Sequence, residues 1–285
     1  MGKLGIVVCG NSGIDYIKHD YDIPVLRSML LFGDKEYTDF IDIKAEDFYA
    51  QLKENPDLHP TTAQTATGKI LETYEAMRDK GYDELIAITI SSQLSGTYDG
   101  AVLASNMVEG IKVHVFDSKS VAYPEAKMAL TAAEMAQKGK DVPTIIKALE
   151  KIRDNHGLLI SVDTLRYLVK NGRLSGASGF VGSLLKIKPM LELSKEGKVE
   201  AAEKIRTRSK AIARMIEKFV SENPEDTLEE VFLVHANAFE EVESVRATLL
   251  EKLPSIKTIK DYPLTPVVGA HGGPGALALG WLKKA

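Results

Sequence analysis

The sequence predicts an α/β protein. Short β-branched apolar runs recur along the chain, most are continuous and not alternating, and amphipathic helical stripes lie between them. A continuous apolar run marks a strand buried on both faces, as in a parallel sheet with helices above and below.

The elements follow in chain order. Residues 4–8, with Leu4, Ile6, Val7 and Val8, read as a first strand. The run is too short for a signal peptide, and Asp15 follows soon after. Ile70, Leu71, Tyr74 and Met77 share one helical face. Residues 85–90 and 112–116 read as further buried strands, with a helix starting near Tyr98 between them. Residues 126–135 form a small-residue helix, and Ile145, Leu149 and Ile152 form another stripe. This strand–helix–strand order implies right-handed crossovers. A polar turn over residues 153–157 precedes a new strand at 158–162, which places a domain boundary there. The predicted domains are 1–156 and 157–285. Beyond the boundary, residues 170–200 are glycine-rich. Helical stripes follow at Ile212, Met215, Ile216 and Phe219, and at Val242, Val245, Leu249, Leu250 and Leu253. Strands are expected at 231–234 and 266–268.

The chain has 285 residues, 44% hydrophobic and 27% charged, close to a globular average, so whole-chain disorder is excluded. Its single cysteine, Cys9, permits no intrachain disulfide, which fits a reducing cytoplasm. No apolar run is long enough to span a bilayer. The net charge of −4 predicts no nucleic-acid affinity. Residues 151–220 nevertheless hold fifteen Lys and Arg against seven Asp and Glu. This basic segment is either a solvated face or a docking surface.

The strongest chemical signal is the hydroxyl-rich stretch Ser91, Ser92, Ser95, Gly96 and Thr97 after the 85–90 strand. Ligands bind at the carboxyl ends of strands in open α/β sheets. Hydroxyls beside the free N–H groups of a helix N-terminus make a donor array suited to an anion. Helix capping alone needs fewer hydroxyls. The stretch lacks the Gly-Lys-Ser/Thr ending of a phosphate loop, and no nucleophile elbow occurs in the chain. A second cluster, His59, Thr61, Thr62 and Thr65, is either a turn into a helix cap or a facing set of neutral donors. Gly273 and Gly275 superficially match a dinucleotide fingerprint, but too little chain follows for a βαβ unit. What remains is His271 in a glycine-rich loop after the 266–268 strand, where glycines let the backbone approach a ligand. The six histidines and one cysteine show no metal-ligand spacing, so no metal site is expected. Val121 and Ala122 line a hydrophobic cavity or pack the core. An amphipathic strip with Arg173, Leu184 and Leu185, followed by Lys204, Arg206 and Arg208, suits an anionic group or an acidic partner.

These segments, in this order, resemble the DegV family of bacterial lipid-binding proteins. The resemblance rests on Pro60-Thr61-Thr62-Ala63-Gln64, Ser91-Ser92-Gln93-Leu94-Ser95-Gly96-Thr97-Tyr98 and Val115-Phe116-Asp117-Ser118. It continues through Asn171-Gly172-Arg173-Leu174-Ser175, Ile187-Lys188-Pro189 and His271-Gly272-Gly273-Pro274-Gly275. It implies two α/β domains, the first with a mainly parallel sheet and the second mixed, enclosing a long-chain fatty acid at their interface. It also implies a role as the binding subunit of a fatty acid kinase, with the ATP site on a separate subunit. The acyl phosphate would then feed phospholipid synthesis, with no cofactor on this chain. The carboxylate contacts carry over to Thr61, Thr62, Ser92, Ser95, Gly96 and His271. The acyl pocket carries over to Val121, Ala122 and Leu184, and kinase docking to Arg173 and Arg206. The chain departs from the family pattern at Cys9-Gly10-Asn11-Ser12, Ala63 and Asn171, positions that bear on the head group and the choice of acyl chain.

The chemistry of such a ligand agrees with the residues. About fourteen buried methylenes at roughly 0.8 kcal/mol each supply on the order of 11 kcal/mol before entropic costs. The head then needs only orientation, and neutral donors leave its oxygen available for phosphoryl transfer. A self-sufficient enzyme would need a nucleotide loop or a nucleophile–base pair, and neither is legible.

Overall fold

The computed structural model describes residues 2–55, 57–176 and 187–284. The predicted pocket residue Leu184 lies outside them. Four strands, β1 (Leu4–Cys9), β2 (Val25–Leu26), β6 (Glu84–Thr89) and β7 (Lys112–Asp117), form a parallel sheet in the order β2-β1-β6-β7. The continuous apolar runs are explained by burial on both faces. Val7, Cys9, Leu85 and Ala87 pack against α2 (Thr67–Asp79) and α3 (Thr97–Met107). Ile6, Val8, Ile86 and Ile88 pack against α4 (Tyr123–Gln137) and α5 (Val142–Asp154). Successive side chains of a strand point to opposite faces, so each run feeds two cores.

A small antiparallel sheet sits beside this unit: β3 (Met29–Phe32) between β4 (Lys35–Thr38) and β5 (Thr61–Ala63). Helix α1 (Ala45–Glu54) covers it through Phe48, whose ring lies 6.0 Å from that of Phe32. Neither β4 nor β5 is apparent from an apolar run, whereas β3 is one, Met29-Leu30-Leu31-Phe32. The 59–65 segment is therefore not a turn directly into a helix: Thr61–Ala63 is a strand, and α2 starts only at Thr67.

The second half holds a mixed sheet of six strands, in the order β10-β9-β8-β13-β11-β12. They are β8 (His156–Ser161), β9 (Met190–Leu193), β10 (Val199–Glu203), β11 (Leu228–His235), β12 (Lys260–Pro263) and β13 (Leu277–Lys283). Only β11 and β12 pair in parallel among the described strands of this sheet. One face, with Leu159, Leu233 and Leu279, is covered by α7 (Arg208–Glu222) and α8 (Phe239–Lys252). The other face, with Leu158, Phe232, Val234 and Ala278, joins the core of the first half.

The strand expected at 266–268 is a helix, α9 (Pro266–Gly272). Two β-branched valines suggest a strand, but Thr265 and Pro266 make a helix start. Pro266 needs no hydrogen-bond acceptor at the first helical position, and the Thr265 hydroxyl accepts from the Val268 N–H at 3.4 Å. His271 thus sits in the last turn of a helix and not in a loop after a strand. A short helix, α6 (Arg166–Lys170), packs beside α9.

Contacts between the two halves are polar as well as apolar. The Ser91 hydroxyl donates to the Gly197 carbonyl at 2.7 Å. Gly197 has φ +85°, and a Cβ there would stand 2.2 Å from the Ser91 oxygen, so the hairpin between β9 and β10 docks only with glycine. On another part of the interface Tyr123 stacks on Tyr262 with ring centres 4.0 Å apart. Its hydroxyl donates to Glu230 at 2.6 Å, and Lys127 pairs with the same carboxylate at 3.0 Å.

Candidate functional site

The inner face of the six-stranded sheet does not close fully on the first half. A cavity of about 260 Å³ lies between them. That is about twenty times the space that holds one water. Its wall from β8 is one strand face, Leu158, Ile160 and the following Val162, at alternate positions. The pairing register lays Ile160, Ala278 and Val234 in one row across three strands. The small side chain in the middle of that row, with Ala276 and Ala122 nearby on the lining, leaves the space. Val121, Ile90 and Val267 close the first-half side.

Polar groups gather where the lining reaches the surface, at exposed Ala63, Gln64 and Arg173. Thr62 projects there from β5, Ser95 from the loop after β6, and His271 from the end of α9. The Thr62 hydroxyl and His271 Nε2 are hydrogen-bonded at 2.8 Å across 209 residues of sequence. The Ser95 hydroxyl contacts that of Thr97 at 2.9 Å and accepts from the Thr97 N–H at 3.2 Å. Arg173 donates to the Leu94 carbonyl at 3.1 Å and to the Asn171 carbonyl at 2.6 Å, tying the loop to the end of α6. The Asn171 side chain donates to the Ala270 carbonyl at 2.9 Å and to the Pro60 carbonyl at 3.3 Å. It therefore fastens together the segments that carry Thr62, His271 and Arg173.

Burial, and then the Arg173 charge, push the His271 pKa down to about 4. The ring is a neutral hydrogen-bonding group near pH 7, and no acidic residue lines the cavity among the described residues. Arg173 is the one charged lining residue among them, so the mouth is not wholly uncharged. The arrangement suits an elongated apolar molecule with a single anionic end. A built cluster of metal-ligating side chains is absent among the described residues.

The site residues expected from sequence divide cleanly. Thr62, Ser95, His271, Val121 and Ala122 line the cavity, and so does Arg173, for which the family resemblance implies docking. Thr61 is exposed on the neighbouring position of β5. Ser92 turns away: its hydroxyl donates to Asp117 at 2.6 Å and its N–H to the same carboxylate at 3.2 Å. Gly96 lies at the start of α3, against Gln64, and is not on the lining. Arg206 is exposed and away from the lining. Sequence reasoning missed Asn11, Ser28 and Gln64 as lining residues. Asn11 follows β1 at its carboxyl end, and the strand-end rule that singled out Ser95 applies to it equally.

Three comparisons place this architecture. The DegV family model, described as "Uncharacterised protein, DegV family", matches residues 3–284. A DegV domain-containing protein of Staphylococcus aureus is 38% identical over 267 residues, 93% of this chain and 91% of the relative. One of Clostridium acetobutylicum is 33% identical over 288 residues, covering 100% of both chains. Among solved structures, DegV of Bacillus subtilis, described as a fatty acid binding protein, matches with a TM-score of 0.88 and 32% identity over 100% of both chains. A DegV family protein of Thermus thermophilus, described by its fatty acid binding, matches with a TM-score of 0.86 and 26% identity over 99% of this chain and 100% of the other. With its parallel sheet, its mixed sheet and the motifs that line the space between them, this chain belongs to the DegV family.

Proposed function

We propose that this protein binds a long-chain fatty acid in the cavity and presents its carboxylate to a separate ATP-dependent kinase subunit. The observation that carries the reading is the cavity itself: walled mainly by apolar side chains such as Leu158, Ile160, Val162 and Val234, with Thr62, Ser95, His271 and Arg173 where it reaches the surface. The fatty acid binding ascribed to the Bacillus subtilis and Thermus thermophilus proteins supports it. The tail supplies most of the affinity through burial. The hydroxyls of Thr62 and Ser95 and the neutral ring of His271 orient the head, and Arg173 gives it one partial counter-charge.

In the proposed transfer a carboxylate oxygen attacks the γ-phosphorus of ATP held by the partner. The bond to the bridging oxygen breaks, ADP leaves with the electron pair, and an acyl phosphate forms. The chain's own share is binding and orientation, which is the entropic part of the barrier. Exposed Arg206 and the outer edge of Arg173 are the proposed docking contacts for the kinase subunit. Units 1–156 and 157–285 are the proposed domains whose contact encloses the ligand.

Solvent extraction of the purified protein followed by mass spectrometry tests the cargo, and a fatty acid at near-stoichiometric yield is expected. A protein that yields none and binds none when offered it overturns the reading. Acyl phosphate should form only when ATP, this chain and a kinase subunit are combined. ATP turnover by the isolated chain overturns the carrier role.

A further inference from the structure

Thr62 comes from a three-residue strand and His271 from the last turn of a seven-residue helix, and the two meet across 209 residues of sequence. Neither element alone fixes their separation. A side chain that does not line the cavity bonds to both segments: Asn171, at the end of α6.

The end of α6 aims that side chain. The Gly172 N–H donates to the Val169 carbonyl at 3.1 Å, and the Arg173 N–H donates to the Leu168 carbonyl at 2.9 Å, with Gly172 at φ +68°. These two bonds are a Schellman closure, and they fix the backbone of Asn171 just before the glycine. Its Nδ2 then donates to the Ala270 carbonyl at 2.9 Å and to the Pro60 carbonyl at 3.3 Å. Both carbonyls lack a partner of their own element. The Ala270 carbonyl would accept from the N–H four residues on, but that residue is Pro274, which has none. Pro60 stands one residue outside the β3–β5 ladder, whose register ends at Leu31 with Thr61. Ala270 and Pro60 are both buried, and a buried carbonyl left unpaired is costly. His271 directly follows Ala270, and Thr62 lies two residues after Pro60, so the amide clamps the hydrogen-bonded pair from behind.

We propose that Asn171 is a positioning residue for the head group: it sets the spacing of Thr62 and His271, and through that spacing the preference for an acid over a neutral lipid of the same length. This rests on the fatty-acid reading above and deepens it. A carboxylate accepts at two oxygens and needs its donors at a set separation, whereas a single hydroxyl adapts to one partner. Loss of the clamp therefore falls on the acid.

The test compares radiolabelled palmitic acid and hexadecanol, titrated against the full chain stripped of lipid. The wild-type protein should bind the acid more tightly than the alcohol. Asn171→Leu, which keeps the size and removes the donors, should weaken the acid by about tenfold, the equivalent of one well-placed hydrogen bond, and leave the alcohol unchanged. Asn171→Gly should do the same, and glycine is at home at a helix end, so one variant is expected to keep the wild-type thermal transition. An equal loss for both ligands in a folded variant assigns Asn171 to general packing and overturns the proposal. An unchanged preference in a folded variant overturns it too, and in both cases the fatty-acid reading stands. If the wild-type protein binds the acid no better than the alcohol, there is no preference for Asn171 to set and the proposal falls. If it binds neither, both readings fall together.

Discussion

Replacing Ala278 by leucine should convert the cavity from one that measures long chains to one that stops short of them. Ala278 is 7% exposed and lies between Ile160 and Val234 in a row of three lining residues. Leucine adds three carbon atoms at that point, directed into the open space. The sheet position suits it, because β13 is paired on both sides and its neighbours in the row are already branched aliphatics. If the added carbons displace about three methylenes of a long ligand, the loss at roughly 0.8 kcal/mol each is about 2.4 kcal/mol, or on the order of sixtyfold in Kd. Chains that end before this row lose nothing. The assay is a chain-length series from lauric to stearic acid, measured by displacement of a fluorescent fatty acid. The wild-type protein should gain affinity with each added methylene, and Ala278→Leu should reach a plateau at shorter chains. Parallel curves for the two proteins would refute the placement of the tail along β8, β13 and β11.

Three further outcomes are expected. Thr62→Ala removes the hydroxyl that meets His271, and it should weaken binding by roughly threefold to tenfold at every chain length; a loss that grows with chain length would place Thr62 at the tail and not the head. Gly197→Ala strains a left-handed residue and pushes a Cβ toward the Ser91 oxygen, so it should cost about 1–3 kcal/mol in urea denaturation; an unchanged midpoint contradicts the close docking of that hairpin. Burial raises the Asp39 carboxyl from 3.8 to about 7 against the pull of Arg27. Between those values the folded chain keeps a proton that the unfolded chain releases, so this group lowers stability as pH rises through the window. His271 acts oppositely, since its depressed pKa makes stability rise between about 4 and 6.5. Denaturation midpoints across pH 4–7 should show Asp39→Asn losing the first slope and His271→Gln the second, and unchanged slopes would refute both assignments.

The hairpin at Gly197 and the Tyr123–Glu230–Lys127 cluster have a consequence for the site. Each joins the first half to the second close to the cavity walls, with Ser91 four residues before Ser95 and Tyr123 next to Ala122. The shape of the cavity therefore depends on contacts that no single half contains.

Local physics made much of this protein legible without coordinates. Continuous runs such as Ile6 to Val8 and Leu85 to Ile88 announce strands buried on both faces, because only helices on both sides of a sheet hide every side chain of such a run. The hydroxyls after β6 likewise marked a strand end, where Ser95 lines the cavity. Other features depend on pairings between distant segments. Thr62 faces inward because β5 pairs with β3, a register invisible in a three-residue strand. Ser92 and Ser95 are indistinguishable in sequence, and only the fold brings Asp117 to the Ser92 hydroxyl. The valines after Pro266 joined a helix because a cap and a proline outweighed β-branching. The cavity itself exists because alternate residues of β8, β11 and β13 face a neighbour that does not reach them, and the distance between that sheet and the chain segments opposite it is a property of the whole fold and of no single stretch of chain.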